Sequence, residues 1–352
     1  MDRIATGTMV EAAMCYQANN DEPATYREYT ELPLVAALSE QWDRLLQSTT
    51  CNQAFSSAAW FLSACNADSS FSPCVIAAWC GSQLVGILPL VQISGAARAE
   101  FASPSDYNDI IARPEDNLTI EGMLDYALGL GKTLSLKHLR LDSNCYRAVA
   151  HARPDLAEKR FQIDRKCFYI NLHASYDDYL DSRSKKLRAD LRRCERRAHE
   201  DGLAVVALSP EDFSPELLPE VFLSLNFARF REESGFRRPA RQAFVRAAFP
   251  EVFRQGRLKP FALTAGGKVI ALDICLVGPR GLGAWNGGFL PEAEEYAPGK
   301  LLVAEELRHC FALGVEEYDW LQGQDSYKTR WATGSRVTGR FDFEPGLALH
   351  EI

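Results

Sequence analysis

The sequence predicts an α/β protein made of two copies of one unit. Three observations carry this: apolar runs paired across glycine turns, segments of helical period between them, and the return of the same order after about half the chain. Leu84 corresponds to Val269, an offset of 185, and Gly131 and Asp142 correspond to Gly314 and Asp325, each at 183. The 352 residues, 47% of them hydrophobic, suffice for two packed cores.

The first 25 residues are polar, carry NNDEP and show no sustained apolar period, so a loose terminus is expected and the fold starts near Tyr26. Helices follow at about 34–48 and 56–66. CVIAAWCGSQLVGILPLVQI then reads as a hairpin around Gly81-Ser82. Ile120, Met123, Leu124, Ala127 and Leu128 recur at helical spacing within 118–130, and LSLKHLRLD reads as a strand. In the second copy PFALTAGGKVIALDICLVG is the hairpin, followed by GLGAWNGGF, a helix within EEYAPGKLLVAEELRHCFALG and the strand VEEYDWLQG. The copies meet near residues 165–180, which gives domains of 26–170 and 171–352.

Several classes are set aside on composition. No apolar run reaches the roughly 18 residues of a membrane span, and MDRIATGTMVEAAM lacks a basic region followed by an apolar core, so an unexported, cytoplasmic chain is expected. The ten cysteines are scattered without a C-x-x-C pair, which suits reduced, buried thiols. The six histidines show no metal-ligand spacing, so no metal is expected.

The two copies differ where their corresponding helices begin. A helix start presents unpaired N–H groups and partial positive charge, which hold an anion if the backbone can be approached. RPEDNLTIEG places Glu115 and Asp116 there and repels one. EYAPGKLLVAEE instead has Pro298, suited to a first turn, Gly299 without a blocking side chain and Lys300 with a positive charge; Glu305 and Glu306 follow a turn later, where they can face solvent. Residues 183–197 hold eight Lys/Arg against two acids in a chain of net charge −8. Leu187, Leu191, Cys194 and Ala198 give that segment an apolar stripe, so it reads as an amphipathic helix whose cationic face is solvated or guides an anionic coenzyme, nucleotide-sugar or lipid headgroup. No stacking groups are interleaved, so nucleic acid is not an expected partner, whereas peripheral contact with an anionic membrane or lipid substrate stays open beside the solvated reading.

These motifs resemble a known family. WNGGF, YAPGKLL, GVEEYDWLQG and YKTRW, with SQLVGILPL, SPSDYND and SKKLRADLRRCERRAHEDG before them, look like the CelD/BcsL-type acyltransferases of the GNAT superfamily over residues 30 to 344. The resemblance implies an α+β fold of two tandem GNAT-like domains, each a mixed, mostly antiparallel sheet flanked by helices. It also implies acetyl-CoA or a longer acyl-CoA as co-substrate, its pyrophosphate resting on Tyr296, Pro298, Gly299, Lys300 and Leu301 of the second copy. Pro-Gly-Lys departs from the superfamily's usual Arg/Gln-x-x-Gly-x-Gly/Ala loop. Related tandem folds occur in Fem peptidoglycan transferases, which take an aminoacyl group from tRNA.

Acyl transfer to an amine needs a proton acceptor, a stabilised oxyanion and a proton for the departing thiolate. By resemblance Tyr327 is the acid, and Lys328 in YKTRW binds the oxyanion or an acceptor anion; a core-capping Tyr327 and a solvated Lys328 are the structural alternatives. Asp106, Asp109 and Asp325 are the candidate carboxylates for the base, against a plain turn role for each. Asp273, an isolated carboxylate in VIALDICLV, faces an acceptor cleft or an exposed strand face. Trp285 and Tyr296 are candidates to line the acyl or acceptor channel, though such aromatics also build cores, and Tyr107 completes the acceptor-side candidates. Three functions stay open: an acyl-CoA-dependent N-acyltransferase for a small amine, amino sugar or envelope lipid precursor; a Fem-like aminoacyl-tRNA-dependent transferase; and a non-catalytic module of an exopolysaccharide assembly.

Overall fold

The computed structural model describes residues 23–102, 104–323 and 326–349; the expected loose terminus falls almost wholly outside them, as does Asp325. In the first half the strands are β1 (Thr25–Tyr29), β2 (Phe71–Cys80), β3 (Gln83–Ile93), β4 (Arg98–Phe101), β5 (Ile111–Ala112) and β6 (Thr133–Arg140). Its helices are α1 (Leu32–Ala36), α2 (Ser39–Gln47), α3 (Ala58–Ala67), α4 (Asn117–Leu128), α5 (Asn144–Ala152) and α6 (Pro154–Arg160). Then come β7 (Gln162–Asn171), α7 (Tyr176–Asp181), α8 (Lys185–Glu200), β8 (Leu203–Ala207), α9 (Leu218–Phe230) and α10 (Pro239–Arg254). The chain closes with β9 (Leu258–Ala265), β10 (Lys268–Val277), β11 (Gly281–Phe289), α11 (Pro298–Leu313), β12 (Glu317–Gln322), α12 (Lys328–Trp331) and β13 (Gly334–Phe343).

One sheet runs through both halves in the order β1-β2-β3-β4-β6-β13-β7-β12-β11-β10-β9-β8, with β5 attached to β3. The halves share one strand order. β1-β2-β3-β4-β6 matches β8-β9-β10-β11-β12, and in each the only parallel step is the last, β4 with β6 and β11 with β12. A helix makes each parallel crossover, α4 in the first half and α11 in the second, as a parallel pair requires. Turn chemistry sets the hairpin registers: Gly81 has φ 57°, and Gly266 and Gly267 have φ 54° and 80°, which a side chain would oppose.

The stretch expected to join the copies is itself a strand. β7 leaves the first half and pairs with β12 of the second, while β13 leaves the second half and pairs with β6 of the first; β7 and β13 pair with each other between them. Helices cover both faces. On β10, Leu272, Ile274 and Leu276 pack toward α9 and α10, while Ala271 and Cys275 pack toward α8 and α11. The alternation is that of a strand buried on both sides. The helical stripe of α8 is as read: Leu187, Leu191, Cys194 and Ala198 are its buried residues.

Candidate active site

The corresponding helices α4 and α11 begin differently. The Asp116 carboxylate accepts the N–H of Thr119 at 3.2 Å, so α4 is capped by its own acid. No side chain caps α11: Ala297 precedes it at φ 52°, Pro298 occupies the first position and the first turn contains no acid. Gly299 is exposed, and a Cβ placed on it would meet nothing within 4 Å. Neither packing nor φ requires that glycine, so its missing side chain leaves open only an approach from outside to the amides of the first turn.

Helix α8 lies beside this start. The Tyr296 hydroxyl donates to Asp201 at 2.9 Å, Arg197 stands 5.2 Å over its ring and pairs with Glu295, and Lys300 Nζ lies 3.6 Å from Asp190. Leu301 is buried and anchors the first turn to the core. Lys185, Lys186 and Arg192 of α8 are exposed. The five residues expected around an anion are thus together, although Lys300 shares its charge with α8.

Glu305 and Glu306 do not both face solvent. Glu306 is fully buried under α11 and accepts from the Tyr318 hydroxyl. Burial pushes its carboxyl well up, and the nearby Asp273 carboxylate adds to the rise. Asp273 lies on the same side of β10, over Gly287: a Cβ on that glycine would stand 1.7 Å from Asp273 Oδ1. Burial lifts Asp273 to about 6, and the charge of Arg229 partly offsets the rise. It is neither on an open strand face nor among the other acceptor-side candidates.

The parallel strands separate at the centre of the second half. Gly281–Gly283 pair with Glu317–Asp319, and beyond them β11 and β12 are not bonded to each other. A bulge in β12 makes the parting: Leu321 takes φ 53°, its N–H bonds Asp319 Oδ1 at 2.7 Å, and pairing with β7 resumes at Gln322. Trp320 faces α11, its indole N–H buried and without an acceptor among the described residues. An orphaned donor at parted strands fits a ligand threaded there.

Residues 104–109, PSDYND, reach this place from the first half. The Gln322 N–H points at Asp106 Oδ2 at 3.4 Å, and Gln322 Nε2 donates to the Asp106 carbonyl at 2.8 Å and meets His138 Nδ1 at 2.7 Å. Lys328 is buried and donates to the carbonyls of Trp320 at 3.2 Å and Gln322 at 3.3 Å. Asp106 and Lys328 therefore flank one residue of β12. Burial lifts Asp106 to about 6, held from going higher by the Gln322 N–H and the charges of Lys328 and Arg241. Tyr327 is 45% exposed, its ring edge-on to Trp320 at 5.5 Å.

The remaining candidates stand elsewhere. Tyr107 is a buried strut, its hydroxyl donating to Asp319 at 2.9 Å. Asp109 accepts the N–H groups of Ile110, Asn144 and Cys145 at 2.8, 2.9 and 2.9 Å, and so ties its loop to the start of α5. Trp285 sits in an aromatic cluster with Trp60 at 5.4 Å, Phe236 at 5.7 Å and Phe249 at 5.9 Å. Sequence reasoning passed over Gln322, His138, Trp320 and Arg241. The offset of 183 sets His138 opposite Leu321, a signal available in advance; the others carry none.

Among the described residues no helix is long and apolar enough to cross a membrane, and no group of three or more His, Cys, Asp or Glu could hold a metal ion.

Residues 185–329 match the Acetyltransf_6 family, an acetyltransferase (GNAT) domain. No curated protein matches the chain. Among solved structures it is similar to FemX, with 11% identity and a TM-score of 0.64 over 90% of this chain and 96% of that one. It is also similar to the C-terminal domain of a putative lysylphosphatidylglycerol synthetase from Agrobacterium fabrum, at 13%, 0.58, 88% and 92%, and to L-PGS from Bacillus licheniformis, at 13%, 0.58, 88% and 93%. At these identities the likeness is one of fold.

Proposed function

Because residues 185–329 match the GNAT acetyltransferase domain family, we propose that the protein is an N-acyltransferase using acetyl-CoA or a longer acyl-CoA to acylate an amine. The amine belongs to a small molecule, an amino sugar or an envelope lipid precursor. The contrast between α4, capped by Asp116, and α11, uncapped and open at Gly299, carries this reading. Of these two corresponding helices, α11 is the one whose start is free of a side-chain cap and open to a pyrophosphate.

Acyl-CoA supplies an acyl group already activated as a thioester. The amides of Gly299 and Leu301 hold the pyrophosphate, that of Lys300 being donated to the Ala297 carbonyl at 2.9 Å, and the parted strands lead inward to Asp106 and Lys328. Asp106, near 6, is largely ionised at neutral pH and takes the proton of the attacking amine as the C–N bond forms. Lys328, fixed by two backbone carbonyls, steadies negative charge on the acyl oxygen. As the C–S bond breaks, Tyr327 gives its proton to the leaving sulfur.

Calorimetric titration with coenzyme A and acetyl-CoA tests the reading. Gly299→Asp puts bulk and like charge at the phosphates and is expected to abolish binding while the protein stays folded. Unchanged affinity rules the α11 site out.

One observation favours a second reading: Lys328 in YKTRW, which resembles the lysine of the Fem-type motif, is buried rather than solvated. A charged-tRNA donor requires a broad basic surface, whereas the cations here gather on α8 in a chain of net charge −8. Stabilisation by aminoacyl-tRNA but by no acyl-CoA would favour that donor.

A further inference from the structure

The far end of β11 and β12, where the two strands start, borders a cavity of about 400 Å³ that the reaction proposed above leaves unused. Pockets that hold small ligands span roughly 300–1,000 Å³. Both halves build it: Arg140 and Arg147 come from the first, and Arg280, Leu282 and Leu321 from the second. Helix α11 starts beyond the opposite end of β11, so this cavity and the helix start are separate places.

The polar groups around the cavity are unequally satisfied. Asp109 is met by three backbone N–H groups, and Asp142 takes two bonds from Arg140 at 2.8 and 2.6 Å. Asp319 accepts from Tyr107 and from the Leu321 N–H, and Glu317 is paired with Arg336. The lining carboxylates are therefore all engaged by the protein itself. Two guanidinium groups are not used up. Arg147 bonds through Nη2 to the neutral oxygens of Asn144 at 2.7 Å and Pro114 at 3.3 Å, and Arg280 bonds Glu316 through Nε at 3.1 Å. Each guanidinium has five N–H groups in a planar fork, so both retain donors. An apolar floor of Leu282 and Leu321 beneath surplus cationic donors suits a small molecule with an apolar body and a carboxylate or phosphate.

We propose that this seam cavity is a second ligand site, taking a small anion-bearing molecule clamped between Arg147 of one half and Arg280 of the other. Tyr107 and Asp319 also line it, and the next residue along β12 after Leu321, Gln322, is the one that Asp106 and Lys328 flank. A bound anion therefore stiffens the strand that carries the reaction site.

The test is thermal unfolding of the full chain carrying Gly299→Asp, which closes the α11 start, with pyrophosphate in one arm and citrate in the other. Potassium chloride of matched ionic strength is the control. A rise in Tm of roughly 2 °C or more is expected with at least one probe, since a ligand of the native state raises Tm by mass action. The responding arm tells phosphate from carboxylate. Adding Arg147→Ala and Arg280→Ala removes the rise, and Lys268→Ala, an exposed cation on a distant turn, leaves it. In the otherwise unaltered chain the two arginine substitutions leave coenzyme A affinity as it was. No rise with either probe, or a rise that survives loss of both arginines, overturns the proposal.

Discussion

His138 and Leu321 occupy the same place in the two halves. They lie 183 residues apart, each in a bulge of the strand after the parallel crossover, with φ 60° and 53°. Positive φ is costly for residues other than glycine, so a shared exception marks a bend both halves need. In the second half the bend opens the gap between β11 and β12. In the first, PSDYND covers the bent strand, with the Asn108 N–H on the His138 carbonyl at 3.2 Å and Asn108 Nδ2 on that of Lys137 at 3.1 Å.

Gly299 and Gly288 are expected to respond oppositely to alanine. Gly299→Ala meets open space and gains helix propensity, so stability holds or rises by up to about 1 kcal/mol while coenzyme A affinity falls. Gly288→Ala would set a Cβ 2.4 Å from backbone atoms of Leu225 and Asn226, which cannot yield as a side-chain tip can. A loss of about 1–3 kcal/mol is expected from such overpacking. Urea unfolding and calorimetry on both variants check the pair.

Asp106 governs the acid limb of the rate profile. With its carboxyl near 6, turnover climbs with pH up to about that value and then levels as the base becomes fully ionised. Asp106→Asn should flatten this limb and lower the rate on the order of 10²–10⁴-fold. A variant that keeps the limb would return Asp106 to a structural role beside Gln322.

Tyr327 and Lys328 act after coenzyme binding, so their loss is expected to spare coenzyme affinity. Tyr327→Phe keeps the ring against Trp320 and removes only the hydroxyl, for a rate loss on the order of 10²-fold. Lys328→Met keeps the buried stem and removes the charge, with comparable damage to turnover if the amine meets the acyl oxygen and a raised acceptor KM if it anchors the acceptor. A lower Tm with unchanged turnover per folded molecule assigns both side chains to packing alone.

Asp273 makes stability depend on pH. Burial raises it to about 6, above the unfolded value of about 3.9, so its contribution is fully present below pH 4 and is lost as pH rises through 6. Asp273→Asn does not ionise, and its stability relative to the parent chain should therefore improve between pH 4 and pH 7.5. Two pKa units correspond to about 2.7 kcal/mol; the side chain's partial exposure brings the expected gain nearer about 1 kcal/mol. Urea midpoints at the two pH values measure it, and a difference that does not vary with pH would refute the assignment.

Much of this molecule was readable along the chain because its signals are local. Periodicity located α4 and α8, glycine turns located both hairpins, and the acid in PEDN against the glycine in APGK separated α4 from α11. What could not be read depends on pairing at a distance. Glu306 looks solvated in a run of acids, yet α11 turns it onto Tyr318. Lys328 looks like a surface cation, but the end of β12 surrounds it with carbonyl oxygens. Asp106 and Asp109 are three residues apart in one loop. Only the fold sends the first to β12 and the second to the start of α5.

The crossing of β7 and β13 bears on what the repeated unit could be alone. Each half finishes with a strand that completes the other, so a chain ending at Asn171 would hold β7 without β12 and would leave β6 with a bare edge. Such edges seek partners. Two identical copies could satisfy each other by trading their last strands, which is the arrangement the full-length chain achieves within one molecule. Either half taken alone would therefore carry an open edge that the other half closes in this chain.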